Sequence, residues 1–186
     1  LTAYGPSPAH EAKYMDSGVD LAWSAGAKAT SHDVYLGTSL EAVSNAKSTD
    51  PMGPGHVYRA RQSGTTYDPG VLSLGTDYYW RIDEVSGKDI WTGAVWRFST
   101  LPVLSVTDPN LQGWWTFDEG QGVTAVDWSG HGRHGTLVNG PQWSAAGQIG
   151  GALQFDGLDD QVSLPVGSVL SALNSATFTV WVNWAR

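Results

Sequence analysis

The sequence predicts an all-β chain built as two sandwich-type halves, and three observations carry that prediction. Apolar and polar residues alternate over short runs, as in Val19-Asp20-Leu21-Ala22-Trp23 and Tyr78-Tyr79-Trp80-Arg81-Ile82, which is the period of a half-buried strand. Between the runs lie clusters of glycine, proline and aspartate, residues that supply positive φ, fixed φ or a local side-chain hydrogen bond where a chain reverses. The 186 residues include 10 Trp and 7 Tyr, side chains that favour pleated, half-covered surfaces over helices.

Taken in order, residues 1–18 give no clear period, although an edge strand there is compatible with Pro6 and Pro8. Val19, Leu21 and Trp23 then share the inward face of a strand, and Asp33-Val34-Tyr35-Leu36-Gly37 forms a second. Thr38-Ser39-Leu40-Glu41 matches a capping box, so one or two helical turns are expected over the residues that follow. Residues 47–65 read as a long connection interrupted by a short strand over residues 56–61. The run from Leu72 to Val85 places Tyr78, Trp80 and Ile82 on one face and leaves Tyr79, Arg81 and Asp83 on a wet one. Gly87 supplies a turn, and the return strand over residues 94–99 points Trp96 and Phe98 inward. Strands at this spacing indicate a seven-stranded sandwich over residues 1–101, with Trp23, Tyr78, Trp80, Trp96 and Phe98 in one core. Residues 102–109, bounded by Pro102 and Pro109, form the linker.

Residues 110–186 carry three glycine-and-aspartate-rich pieces: Trp114-Trp115-Thr116-Phe117-Asp118-Glu119-Gly120, Asp127-Trp128-Ser129-Gly130-His131-Gly132, and Gly150-Gly151-Ala152-Leu153-Gln154-Phe155-Asp156-Gly157-Leu158-Asp159-Asp160-Gln161-Val162. Short strands joined by turns are expected here, with Trp114 and Trp181 in the core and a further strand over residues 177–184.

Two families are suggested by these residues. Trp23 together with Leu72-x-x-Gly75-Thr76-x-Tyr78-x-x-Arg81-Ile82 resembles the fibronectin type III (Ig-like) sandwich, in which the tyrosine makes a corner hydrogen bond. The stretches Ser31-His32-Asp33-Val34-Tyr35-Leu36-Gly37-Thr38 and Tyr79-Trp80-Arg81-Ile82-Asp83-Glu84-Val85 look like the spacer modules beside laminin G-like domains in large bacterial, planctomycete-type surface proteins. The three motifs of the second half resemble the laminin G-like, concanavalin A-like jelly roll. That fold needs eight or more strands, so residues 110–186 would be its N-terminal part only. Phe117, Leu153, Phe155, Phe178 and Val180 would then lack an opposing sheet unless a longer chain or another copy supplies one.

The functional expectations follow from charge and chemistry. A net charge of -8 without clustered Lys or Arg argues against a nucleic-acid surface. No cysteine is present for a disulfide or zinc–thiolate site, and no apolar run has the length of a membrane span. Laminin G-like domains often hold calcium at a sheet rim, which the resemblance carries to Asp127, Asp156, Asp159 and Asp160. The competing reading makes Asp127 and Asp156 turn formers. The alternating carboxylates of glucanases on this fold are missing, and adjacent Asp118 and Glu119 point to opposite faces, so no enzyme is expected. His131 and His134 read as solvated turn residues. Trp128, Trp143 and Trp184 border turns and are the candidate ligand-binding aromatics. The expected function is a non-catalytic, extracellular or cell-surface adhesion or carbohydrate-binding module, with glycans or other surface proteins as partners. A self-assembling structural subunit of a surface layer or filament, and an accessory module of a polysaccharide hydrolase, are the alternatives.

Overall fold

A computed structural model of the chain describes residues 1–167, 171–172 and 174–184. The chain forms two compact units, Leu1–Pro102 and Val103–Arg186, and among the described residues the named elements are all strands apart from one short helix.

In the first unit, strands β1 (Tyr4–Ser7), β3 (Leu21–Ser24) and β6 (Thr66–Tyr67) make one sheet in the order β1-β3-β6. The other sheet runs β2-β9-β7-β4-β5, from β2 (Ala12–Met15), β9 (Val95–Thr100), β7 (Asp77–Ser86), β4 (Ser31–Gly37) and β5 (Tyr58–Gln62), with β8 (Asp89–Trp91) hairpinned onto β7. Every pairing is antiparallel except β2 with β9. The two sheets are of the sandwich type that the sequence predicts. Cross-strand register puts Leu36 opposite Trp80 and Trp80 opposite Trp96, so large side chains of one parity meet on the inner face. Trp23, Tyr78, Trp80, Trp96 and Phe98 all lie in that core with Leu21, Val34, Leu36 and Ile82. Tyr78 Oη accepts the Ser73 N–H at 2.9 Å, the corner bond that the resemblance implied.

The opposite face of β7 is where the sequence reading needs correction. Arg81 and Asp83 are not wet; they are 2% and 4% exposed, because helix α1 (Leu40–Asn45) lies over them. Val43 packs with Tyr35 and Tyr58 in a second small core. Arg81 receives the C-terminal end of this helix: its guanidinium donates to the carbonyls of Val43 (2.6 Å), Ser44 (2.8 Å) and Ala46 (2.7 Å) and twice to Asp83. A cation is thus fixed against the negative end of the helix, where the last carbonyls lack intrahelical donors. Burial pushes the Asp83 carboxyl up, against the pull of the Gly93 N–H and of Arg81. A Cβ on Gly93 would stand 2.1 Å from the Ile82 carbonyl oxygen, so only glycine lets this segment approach β7. The helix is capped by Ser39, whose hydroxyl accepts the Ala42 N–H at 3.2 Å, rather than by Thr38. Glu41 therefore sits one residue too early to close the box and instead places negative charge in the first turn.

The other differences are local. Residues 1–18 contain two strands, β1 and β2. Val19 precedes its strand, β5 begins two residues later than expected, and β8 continues the β7 hairpin.

The second unit contains β10 (Thr124–Ala125), β11 (Gly135–Val138) and β14 (Gln161–Ser163) in one sheet and β12 (Gln142–Ser144) with β13 (Ala152–Gln154) in another, all antiparallel. Trp115 bridges to Asp127, and its Nε1 donates to the Arg133 carbonyl at 3.0 Å. Trp115, not Trp114, is therefore the inward residue, and Trp114 is 54% exposed. Residues 177–184 are not a strand: among the described residues no ladder pairs them, and Phe178, Val180, Trp181, Val182 and Trp184 are exposed. Trp181 is therefore not a core residue.

Candidate functional site

The hairpin of β12 and β13 builds a recess in the second unit. Its register sets Trp143 opposite Leu153 and Ser144 opposite Ala152, and the connecting turn returns through Gly150 and Gly151 beneath Phe117 and Asp118. That approach requires glycine. A Cβ on Gly151 would come 2.4 Å from the Phe117 carbonyl oxygen, and one on Gly150 2.3 Å from Asp118 Oδ1. The Gly151 N–H donates to Asp118 Oδ1, which fixes the carboxylate at the rim. Phe117 itself takes φ 58°, a conformation that costs a bulky residue about 1–3 kcal/mol and is concentrated at binding sites.

The resulting hollow has a volume of about 490 Å³ and is lined by Phe117, Asp118, Trp143, Ser144, Ala145 and the facing glycines. Trp143 Nε1 donates to the Gly122 carbonyl at 2.8 Å, so its polar edge is spent and the ring faces remain for contact. Of the three candidate tryptophans, only Trp143 lines this hollow. Trp128 is half-buried with Nε1 3.4 Å from Glu119 Oε1, and Trp184 is 82% exposed, away from the hollow. The glycine pair before an alternating run was visible in the sequence, but its proximity to Phe117 and Asp118 is a tertiary fact.

The four candidate calcium ligands divide. Asp156, Asp159 and Asp160 gather, each with a carboxylate oxygen within 4.8 Å of the others. Oxygens bound at 2.3–2.6 Å from one calcium ion lie within such a distance of each other, so the trio fits part of a calcium shell. Asp156 also closes the turn: it accepts the Leu158 N–H at 2.9 Å, and Asp160 accepts the Asp156 N–H at 3.0 Å. The Leu158 N–H is the main cause holding the Asp156 carboxyl below its ordinary range.

Asp127 is not part of that trio, which corrects the expected set of four. It is fully buried and accepts N–H groups from Trp114, Ser129 and Arg133, each at 3.0 Å. Burial alone would raise its carboxyl, but hydrogen bonds from Ser129, Trp114 and Arg133 outweigh it and hold the group below the usual value. The sign follows: Asp127 stabilises the fold above about pH 4 and loses that contribution as pH falls through its depressed folded value. Asp127→Asn would set an amide N–H₂ against an N–H donor and should destabilise the second unit by about 1–3 kcal/mol. Acid titration of its unfolding should then lose part of the pH dependence seen in the parent. His134 Nδ1 accepts the Asp127 N–H at 3.1 Å, and His131 Nε2 is buried, so neither histidine is simply solvated.

The first unit has a hollow of about 480 Å³ beside α1, lined by Tyr35, Lys47, Arg81, Asp83, Ile90 and Thr92. Its charged floor is spent on the helix end and on the Arg81–Asp83 pair. Buried His32 and Glu84 pair with each other, and Asp33 accepts from Arg61 and from Tyr58 at 2.8 Å. Burial, followed by the bond to Asp33, pushes the Tyr58 phenol up to about 12. These inward charges were missed because parity alone assigns a face, not what covers it.

Fold and recess together define an all-β protein of sandwich-type sheets with an aromatic-walled hollow in its second unit. No family model matches the chain, and no curated protein matches it. A solved structure described as a Fn3-like protein from Clostridium thermocellum is 26% identical over a match covering 54% of this chain and 92% of that one, with a TM-score of 0.36. Among the described residues, no helix is long and apolar enough to cross a membrane.

Proposed function

We propose that the chain is a non-catalytic, carbohydrate-binding adhesion module of a secreted or cell-surface protein, with its site in a laminin G-like second unit. The observation that supports this most is Trp143 beside Asp118 in the hollow. An indole face offers a large apolar platform to the C–H face of a pyranose, while a fixed carboxylate oxygen accepts from sugar hydroxyls. The first unit, whose buried charges His32–Glu84, Asp33–Arg61 and Arg81–Asp83 are paired with each other, then serves as a spacer. Trp143→Ala should weaken binding to the best ligand on a glycan array by tenfold or more, with the melting curve preserved. Unchanged array binding by this variant would remove the site from the hollow.

Calcium at Asp156, Asp159 and Asp160 belongs to the same proposal. Binding to the native state alone raises stability by RT ln(1 + [L]/Kd), so millimolar calcium should raise the melting temperature of the second unit and a chelator should reverse it. A melting curve indifferent to both removes calcium from the reading.

One observation favours a structural subunit instead. Phe178, Val180, Trp181, Val182 and Trp184 place five large apolar side chains, each at least 67% exposed, within seven residues, and surfaces of that kind mark association sites. Concentration-dependent assemblies in light scattering, with no glycan bound, would support that reading.

A further inference from the structure

We infer that the Trp143 recess is charge-selective, accepting uncharged and amino pyranosides and rejecting uronates and sulfated sugars. The inference rests on the carbohydrate-binding reading and specifies its ligand class. Asp118 is the one ionised side chain among the residues lining the hollow, and the rest of the lining is Phe117, Trp143, Ser144, Ala145 and glycine. A sugar carboxylate or sulfate is recognised through charge-assisted donors, above all the guanidinium fork of arginine. Among the described residues none lines this wall. Residues 103–186 contain no lysine and two arginines, Arg133 and Arg186, against seven aspartates and glutamates.

Arg133 is already engaged, donating its guanidinium to the Gln112 carbonyl while its own N–H bonds Asp127. An anionic sugar stacked on Trp143 would therefore meet a like charge in a recess without a compensating cation, and juxtaposed like charges act mainly to exclude the wrong partner. A neutral sugar meets the same carboxylate as a hydroxyl acceptor, and an amino sugar meets it as a counter-ion. Ser144 Oγ, which accepts the Ala146 N–H at 3.2 Å, adds a hydroxyl beside the ring.

Isothermal titration of the 186-residue chain with cellopentaose, a chitosan pentamer and pentagalacturonate separates the possibilities. The expected result is binding of the neutral or amino oligomer at least tenfold tighter than the uronate. Raising salt from about 10 mM to about 300 mM should narrow that gap, since the screening length falls below the size of the recess. Asp118→Asn keeps an oxygen for the Gly151 N–H and removes the charge. It should bring the uronate within severalfold of cellopentaose. A uronate that binds the parent as tightly as the neutral oligomer overturns the selectivity while leaving carbohydrate binding intact. A ratio unmoved by both salt and Asp118→Asn overturns the role of Asp118. Failure of all three sugars to bind overturns the carbohydrate reading itself, and the selectivity with it.

Discussion

Trp80→Ala should lower the stability of the first unit by about 3–5 kcal/mol, read from the midpoint of denaturant unfolding. Trp80 is fully buried, its ring centroid 4.7 Å from that of Trp96 and 6.5 Å from that of Trp23, and it sits opposite both Leu36 and Trp96 across the sheet. Truncation removes the central wedge of the core, and neighbours held by ladders on both sides cannot close the cavity. Trp80→Phe is the informative companion. Trp80 Nε1 is buried with no hydrogen-bond partner, so phenylalanine removes an unsatisfied donor while leaving a smaller void, and its cost should be well below that of alanine. A loss under about 1 kcal/mol for Trp80→Ala would contradict the assignment of β7 as the core strand.

Asp83→Ala should cost a similar amount, about 3–5 kcal/mol, because it strands the buried guanidinium of Arg81 without its counter-charge. Arg81 is 2% exposed, and its remaining partners are carbonyls at the end of α1. Helical turns, guanidinium and carboxylate form one unit, so the loss should reach α1 as faster amide exchange over residues 40–46. Replacing both partners together, Arg81→Met with Asp83→Leu, should recover part of the loss, since an apolar pair brings no desolvation penalty. Additive single and double effects would show that the two residues do not act as a pair.

The inner face of the first unit was readable from alternation because Trp23, Trp80 and Phe98 each fall on the inward parity of their strand, and a two-residue period reports that parity directly. The outer face was not. Tyr79, Arg81 and Asp83 carry the composition of a solvated face, yet α1 covers them, and the contact joins residues 35 to 38 positions apart. The same holds for the recess. Trp143 and the glycine pair stand out in the sequence, but Phe117 and Asp118 reach them only through folding, 33 residues away in the Asp118–Gly151 bond. Asp127 shows the converse. Its residue type suits calcium, and its neighbours' N–H groups had already claimed its oxygens.

The parallel pairing of β2 with β9 has a mechanical consequence. β2 lies near the start and β9 near the end of the first unit's chain, paired at Ala12 with Phe98 and at Met15 with Thr100 across a register shift, and flanked by the bonds Glu11 N–H to Arg97 O and Leu101 N–H to Met15 O. Tension applied between Leu1 and Pro102 pulls the two strands in opposite directions along their own axes, across hydrogen bonds that lie transverse to the load. The bonds are then sheared together instead of being unzipped one at a time, and forced unfolding, which is governed by the unfolding rate, must break them as a set. Pulling between Leu1 and Pro102 in a single-molecule experiment should therefore show one rupture of this strand pair before the first unit lengthens.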